Sequence, residues 1–251
     1  MNFGALIIGD EILRGKRPDG HFAKTVELLK ARGLTLAWTV YVGDDRARLT
    51  DALRNAFACG DTVFSFGGIG ATPDDHTRQA AAAALAVPLV RHAEAEREIR
   101  ARCAEAQLEA TPLRLSLGEF PLGARIIPNP YNRFPGFSLG ECHFLPGFPV
   151  MAWPMLEWLL ETYYRQQFFA VAEEELAIIV WEGSEGALID LMRGIEARYP
   201  GVIVFSLPSF GGDGLGRHIE LGVRGEPSAA RRAMAEIRGE VGRRGYAWEN
   251  R

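Results

Sequence analysis

The stretch Thr62-Val63-Phe64-Ser65-Phe66-Gly67-Gly68-Ile69-Gly70-Ala71-Thr72-Pro73-Asp74-Asp75-His76-Thr77 decides the fold. Its first five residues are mostly β-branched or aromatic, the make-up of a buried strand, and they run straight into glycines. The alanine-rich segment Gln79 to Leu85 that follows reads as a helix. A strand, a glycine turn and a helix start, in that order, form one unit of a parallel α/β sheet. The glycines let backbone approach a ligand closely, and a helix beginning beside Asp75 and Thr77 would turn its free amides toward an anion.

Working toward the N-terminus, the same alternation repeats. Phe3 to Ile8 predicts a buried strand, and Gly20 to Arg32 a helix that places Phe22, Val26 and Leu29 on one face and stops at Gly33. Leu34 to Val42 predicts the next strand. Asp44 and Asp45 stand where a helix cap would, ahead of Leu49, Leu53 and Phe57.

Toward the C-terminus, Glu94 to Gln107 predicts a helix, and Gly118 to Gly147 a proline- and glycine-rich region with short strands at Ala124 to Ile127 and Glu141 to Leu145. Met151 to Phe169 predicts the helix that closes a first domain, with Trp153, Trp158, Tyr163 and Tyr164 as packing residues. Beyond it, strands at Leu176 to Trp181, Val202 to Ser206 and His218 to Val223 alternate with helices at Glu185 to Tyr199 and Ser228 to Arg244, and a last strand lies near Tyr246 to Trp248. These elements predict two domains, an α/β domain over 1–168 and a smaller α+β domain over 169–251. The connection Pro208 to Gly216 is glycine-rich, but it joins two strands and opens no helix, so it reads as a long hairpin turn rather than a phosphate loop.

Composition sets outer limits. Twenty-eight basic and 32 acidic residues give a net charge of -4 over 251 residues, with no basic block, which argues against nucleic acid as the main partner. No stretch approaches the length of a membrane span, and the apolar run over Met1 to Asp10 is too short for a signal peptide and has no basic segment before it. Cys59, Cys103 and Cys142 are too few and too scattered for a disulfide framework or a paired-cysteine metal site, which points to a reducing cytoplasm.

The chemistry concentrates in carboxylates at strand ends. Asp10 follows the first strand, Asp44 the second and Asp75 the third, and a parallel sheet binds its ligands at the carboxyl ends of its strands. Adjacent carboxylates would repel a bare phosphate, so a divalent cation between Asp75 and the ligand's oxygens fits the pattern better. A plainer reading of the same turn has Asp74 or Asp75 capping the helix and the glycines only tightening the chain. Two rigid loops, Pro128 to Gly136 and Leu145 to Pro149, also follow short strands and suit the walls of a pocket. The five histidines form no paired metal-ligand spacing; His76 reads as a partly exposed helix residue and His143 as a satisfied core or edge residue.

Five segments, in order, resemble one family: Gly9 to Gly15 (GDEILRG), Val42 to Asp45 (VGDD), Gly67 to Thr77 (GGIGATPDDHT), Ile127 to Gly136 (IPNPYNRFPG) and Leu145 to Met155 (LPGFPVMAWPM). They resemble the molybdopterin-binding (MoaB/Mog-like) domain in the version found at the N-terminus of the competence/damage-inducible protein A (CinA) family. The resemblance implies a three-layer αβα domain, a homo-oligomer, and a site for a phosphate-bearing pterin or nucleotide. It carries catalytic roles to Asp75, Asp44 and Asp10, metal binding to Asp75, and ligand contacts to Gly67, Gly68, Gly70, Thr72, Thr77, Asn129, Pro130, Gly136, Pro146 and Gly147.

By the same resemblance, the activity is hydrolysis of a dinucleotide pyrophosphate such as ADP-ribose or FAD, dependent on magnesium, manganese or cobalt. Molybdopterin binding or adenylylation in molybdenum cofactor synthesis, and ligand binding without turnover, are the alternatives. Longer family members continue into an amidase domain, so that activity is expected to be absent. Three departures stand out: Met151 where relatives carry a glutamate, Asn132-Arg133-Phe134 in place of a small run, and His21 near an asparagine position. The Asn132-Arg133-Phe134 run would narrow the pocket and, through Arg133, bring a positive charge to a phosphate.

Overall fold

The computed structural model describes residues 2–170, 172–211 and 216–251. The chain forms two compact units, 1–169 and 170–251.

In the first unit the chain runs β1 (Phe3–Ile8), α1 (Asp10–Leu13), α2 (His21–Lys30), β2 (Leu36–Val42), α3 (Arg46–Ala58), β3 (Thr62–Phe66) and α4 (Thr77–Leu85). It continues through β4 (Leu89–Arg91), α5 (Ala93–Glu105), α6 (Pro112–Ser116), β5 (Glu119–Pro121), β6 (Arg125–Ile127), β7 (Gly136–Leu139), β8 (Cys142–Leu145) and α7 (Pro149–Leu159). Six strands make one sheet in the order β2-β1-β3-β8-β7-β6. β1 pairs in parallel with β2 and β3, and β3 with β8, whereas β7 runs antiparallel to both β8 and β6. Every residue of β1 and β3 is buried, as expected of central strands covered on both faces.

The strand alternation sorts the core into two halves. Phe3, Ile7, Phe64 and Phe66 face Leu28 and Leu29 of α2 and Met155, Leu156 and Leu159 of α7. Leu6, Ile8 and Val63 face Leu49 and Leu53 of α3 and Ala80 and Ala81 of α4. The result is a three-layer αβα domain with its parallel strands at the centre.

Several elements depart from the sequence pattern. On α2, Phe22 is 45% exposed and Val26 36%, while His21, Thr25, Leu28 and Leu29 are buried. The helix is rotated from the hydrophobic reading because His21 itself enters the core, stacked on Phe66 with ring centroids 4.6 Å apart. The long closing helix ends as α-helix at Leu159 and passes into a π-helical turn over Leu160–Tyr164. That wider turn carries Tyr164 into the interior and leaves Tyr163 partly exposed. Strands β4, β5 and β7 and helix α6 carry no periodic signal in the sequence. Helix α6 is started by Thr111, whose hydroxyl accepts from the Arg114 amide, with Pro112 in the first turn.

The second unit contains β9 (Glu174–Trp181), α8 (Glu185–Arg198), β10 (Ile203–Phe210), β11 (Arg217–Gly225), α9 (Pro227–Arg243) and β12 (Trp248–Asn250). Its strands form an antiparallel sheet in the order β10-β11-β9-β12. Ile178, Val180, Ile219, Leu221 and Val223 pack against Leu188 and Ile195 of α8 and Met234 and Ile237 of α9. Strand β10 extends through Pro208, which an edge strand tolerates because its missing N–H faces outward. Residues 212–215 of the connection read as a hairpin turn lie outside the described residues. Among the described residues no helix is long and apolar enough to cross a membrane.

Candidate functional site

The glycine turn leaves the end of β3 through two left-handed residues, Gly67 at φ 103° and Gly68 at φ 68°. A side chain at Gly67 would collide with the Ile8 carbonyl, and one at Gly68 with the Thr77 hydroxyl, so both close approaches require glycine. The turn is tied down from below. Thr77 donates its amide to the Gly68 carbonyl (3.0 Å) and its hydroxyl to the Gly67 carbonyl (2.9 Å), while the Gly67 amide donates to Leu145 O (3.0 Å).

Arg78, which the sequence reading passed over, does the same from the far side. Its buried guanidinium donates to Gly70 O (2.6 Å), Glu119 O (3.3 Å) and Ser116 O. Burial lowers its pKa, opposed by the Glu119 and Asp75 carboxylates. The signal was its place beside Thr77, the first residue of α4, but an arginine in a helix start is ordinarily read as exposed.

Asp75 turns back into its own loop. Its Oδ2 accepts from the Thr72 amide (2.8 Å) and the Thr72 hydroxyl, and among the described residues its Oδ1 has no protein donor. Neither Asp74 nor Asp75 caps α4: the cap position is His76, with no side-chain cap bond. Across the strand ends, Asp10 and Asp44 brace one another. The Asp10 amide donates to Asp44 Oδ2 (2.8 Å), and the Asp44 amide to Asp10 Oδ1 (3.3 Å). Asp10 also pairs with Arg14 at 2.5 Å, and Asp45 caps α3 by accepting from the Arg48 amide. Burial raises the Asp44 carboxyl above the usual carboxylate range, with the Asp10, Glu11 and Asp74 charges adding to it and the Asp10 amide opposing it.

These groups open on a cavity of about 810 Å³ at the carboxyl ends of the parallel strands. Of the residues assigned from sequence, Asp44, Asp75, Gly67, Gly68, Gly70, Thr72, Asn129, Pro146 and Gly147 line it. Four others do not: Asp10 stands behind Asp44, Thr77 is buried beneath the turn, Gly136 is packed on the Phe144 carbonyl, and Pro130 lines a neighbouring cleft. Asn129 is buried and knits its own loop, donating to Phe134 O (2.9 Å) and accepting from the Tyr131 amide (3.0 Å).

Sequence reasoning assigned no role to Glu11, Arg17, Leu113 and Leu117, all of which line the cavity, while Phe148 lines it from the Leu145 to Pro149 loop expected to wall a pocket. The two leucines arrive on and just after α6, an element without a pattern to announce it. With Phe134, Phe148 and Met151 they give the cavity an apolar portion of its lining, and Asn132 donates to the Met151 sulfur at 3.2 Å. Asn132 and Phe134 line the cavity, but the expected positive charge from Arg133 does not reach it. The Arg133 backbone is left-handed (φ 60°), and its side chain leaves the cavity to pair with Glu105 (2.9 Å) and Glu98 (3.9 Å) of α5. Gly147, one of the lining residues, is held from the core side by His21, whose Nε2 donates to the Gly147 carbonyl at 3.0 Å. Burial lowers the His21 pKa, so its neutral form holds that turn.

Among the described residues no group of three or more His, Cys, Asp or Glu is placed to hold a metal ion. Two lining carboxylates, Asp75 with a free Oδ1 and the exposed Asp74, suit an ion shared with a ligand's phosphates, which is how magnesium is ordinarily held.

A second polar cluster lies at the other end of the sheet. Ser138 Oγ contacts His143 Nδ1 (2.8 Å), His143 Nε2 contacts Tyr164 Oη (2.6 Å), and Tyr164 donates to Glu141 Oε2 (2.8 Å). With the tyrosine proton given to Glu141, Nε2 carries the imidazole proton and Nδ1 accepts from Ser138. Burial pushes the His143 pKa down to about 3 and raises that of Tyr164.

Together the fold and this cavity define an α/β domain that opens a glycine turn and several carboxylates onto a cavity at its strand ends, the place where parallel sheets ordinarily bind ligands. Residues 4–166 match the family model described as "Probable molybdopterin binding domain", and the chain belongs to that family. It is similar to a CinA-like protein of Anaeromyxobacter sp. (strain Fw109-5), 32% identical over 237 residues that cover 88% of this chain and 58% of the relative. It is also similar to a CinA-like protein of Citrifermentans bemidjiense, 30% identical over 198 residues, 77% of this chain and 48% of the relative. The chain therefore spans about half the length of these curated relatives. Among solved structures it resembles the CinA protein of unknown function from Thermoplasma acidophilum, with a TM-score of 0.58 and 28% identity, covering 64% of this chain and 98% of that one.

Proposed function

We propose that the first unit binds a phosphate-bearing nucleotide or pterin in the cavity at Gly67–Gly70 and hydrolyses a dinucleotide pyrophosphate such as ADP-ribose or FAD with a divalent metal. The observation that carries this reading is the meeting, in one cavity, of a left-handed glycine turn, the carboxylates of Asp44, Asp74 and Asp75, and the apolar side chains of Leu113, Leu117, Phe134, Phe148 and Met151. Asp75, with Asp74 beside it, would hold the metal together with the ligand's phosphate oxygens. Bound there, magnesium, manganese or cobalt supplies Lewis-acid polarisation of those oxygens.

The chain's own residues do the rest. The backbone of Gly67 to Gly70 seats the phosphate, and Thr72 fixes the Asp75 carboxylate. Asp44, with its raised pKa and its brace from Asp10, takes the proton of the attacking water as the new P–O bond forms and the bridging P–O bond breaks. Self-association, which the family resemblance implies, belongs to the same proposal and is checked by sedimentation of the purified chain.

One observation favours a second reading, pterin binding without turnover: Met151 and Phe134 put apolar surface where a further acidic group would serve catalysis. A turnover screen with ADP-ribose, FAD, NAD and ATP, with each metal and with chelator, separates the two. Metal-dependent AMP release is the expected result. Asp75→Asn should lower it about 100-fold or more while leaving the melting temperature unchanged. No AMP from any substrate, with tight binding of molybdopterin, would select the second reading.

A further inference from the structure

We propose that Arg17 sets the charge specificity of the cavity, pairing with a ligand phosphate that the carboxylates around it would otherwise repel. This rests on the reading of the cavity as a site for phosphate-bearing ligands, and it adds a specificity-determining residue that neither the glycine turn nor the acidic turns supply.

Glu11, Asp44, Asp74 and Asp75 line the cavity, and among the described lining residues Arg17 alone is cationic. Other arginines close by are engaged elsewhere. Arg14 pairs with Asp10, Arg78 is buried on three carbonyls, and Arg133 pairs with Glu105. Arg17 is exposed, and among the described residues its guanidinium makes neither an ion pair nor a hydrogen bond.

Its backbone, in contrast, is fixed. The amides of Lys16 and Arg17 both donate to the Glu11 carbonyl, at 2.9 and 3.2 Å, the turn passes through Gly15 at φ 66°, and Pro18 restricts the next dihedral. A guanidinium on an anchored turn, facing an acidic cavity and holding no partner of its own, has its donors free for a phosphate in a bidentate fork.

The test measures binding of inorganic pyrophosphate, with magnesium, to the full chain by calorimetry, so that no nucleotide base takes part. Arg17→Ala should weaken binding about tenfold or more, and Arg17→Lys should recover part of it, as a point charge without the fork. The melting temperature of Arg17→Ala should stay that of the wild type, because the exposed side chain makes no ion pair or hydrogen bond among the described residues. Raising the salt concentration should narrow the gap between wild type and Arg17→Ala. Equal affinity of wild type and Arg17→Ala, or no pyrophosphate binding by the wild type, overturns the proposal. Wild-type protein that binds pyrophosphate through Arg17 but releases no AMP from ADP-ribose or FAD sinks the hydrolase reading and leaves this one standing.

Discussion

Beside the start of β8, Ser138, His143 and Tyr164 form a buried chain of hydrogen bonds that ends on the exposed Glu141, whereas past the carboxyl ends of β2 and β3 Asp44, Asp74 and Asp75 face an open cavity. By residue type, the sealed cluster is the more suggestive of catalysis, since a serine bonded to a histidine is the start of a nucleophilic triad. Its geometry argues otherwise. Ser138, His143 and Tyr164 are each 2% exposed or less, their side-chain polar atoms all find partners within the protein, and a histidine held near pKa 3 stays neutral and is a weak base. At the open end the opposite holds: Asp75 keeps an unused oxygen, Arg17 keeps an unused guanidinium, and water and ligand can reach both. Satisfaction and access, not residue identity, separate a structural network from a functional one.

The largest expected effect comes from the residue that belongs to both ends of the argument. Arg78 is buried like the sealed cluster but holds up the open one, so Arg78→Ala should orphan three carbonyls, lower stability by about 3 kcal/mol and abolish ligand binding. Denaturant unfolding and calorimetry on one sample check both. Normal stability would show that the glycine turn does not depend on this anchor.

The sealed cluster is probed by acid. Its histidine has a folded pKa of about 3 against 6.5 when free, so the unfolded chain binds the extra proton between those values. The stability it contributes is complete above pH 6.5 and falls by about 1.4 kcal/mol for each pH unit below that, until pH 3. His143→Gln should flatten this slope in urea melts taken across that range and leave turnover at neutral pH unchanged. A variant that kept the slope, or lost turnover, would erase the distinction between the two ends.

The smallest effect sharpens the boundary of the cavity. Arg133→Ala removes only partly exposed ion pairs to Glu98 and Glu105, so stability should change by about 1 kcal/mol or less and pyrophosphate affinity not at all. A drop in affinity matching that of Arg17→Ala would return Arg133 to the site.

Much of this was readable without coordinates. The bounds Phe3–Ile8 and Thr62–Phe66 follow from runs of apolar residues ending at glycine, and the parallel sheet follows from their alternation with helices. The strand-end positions of Asp44 and Asp75 place both on the cavity lining, though the same rule also picks Asp10, which stands behind it, and Gly67 and Gly68 sit where the turn tolerates no side chain. Such signals are local: a periodicity, a cap, a residue allowed at positive φ.

What the tertiary structure alone decided concerns contacts between residues far apart in the chain. His21 lies on the buried face of α2 because Phe66 and Gly147 receive it, against the pattern of Phe22 and Val26. Arg78 is interior because Gly70, Ser116 and Glu119 converge on it, and Arg133 leaves the cavity because α5 offers two glutamates. Leu113 and Leu117 become a wall of the site only when α6 is brought over the glycine turn. A side chain's local sequence states which conformations and partners it can take, but which partner it meets is fixed by the packing of the whole domain, where burying one charge or orphaning one carbonyl outweighs any local preference.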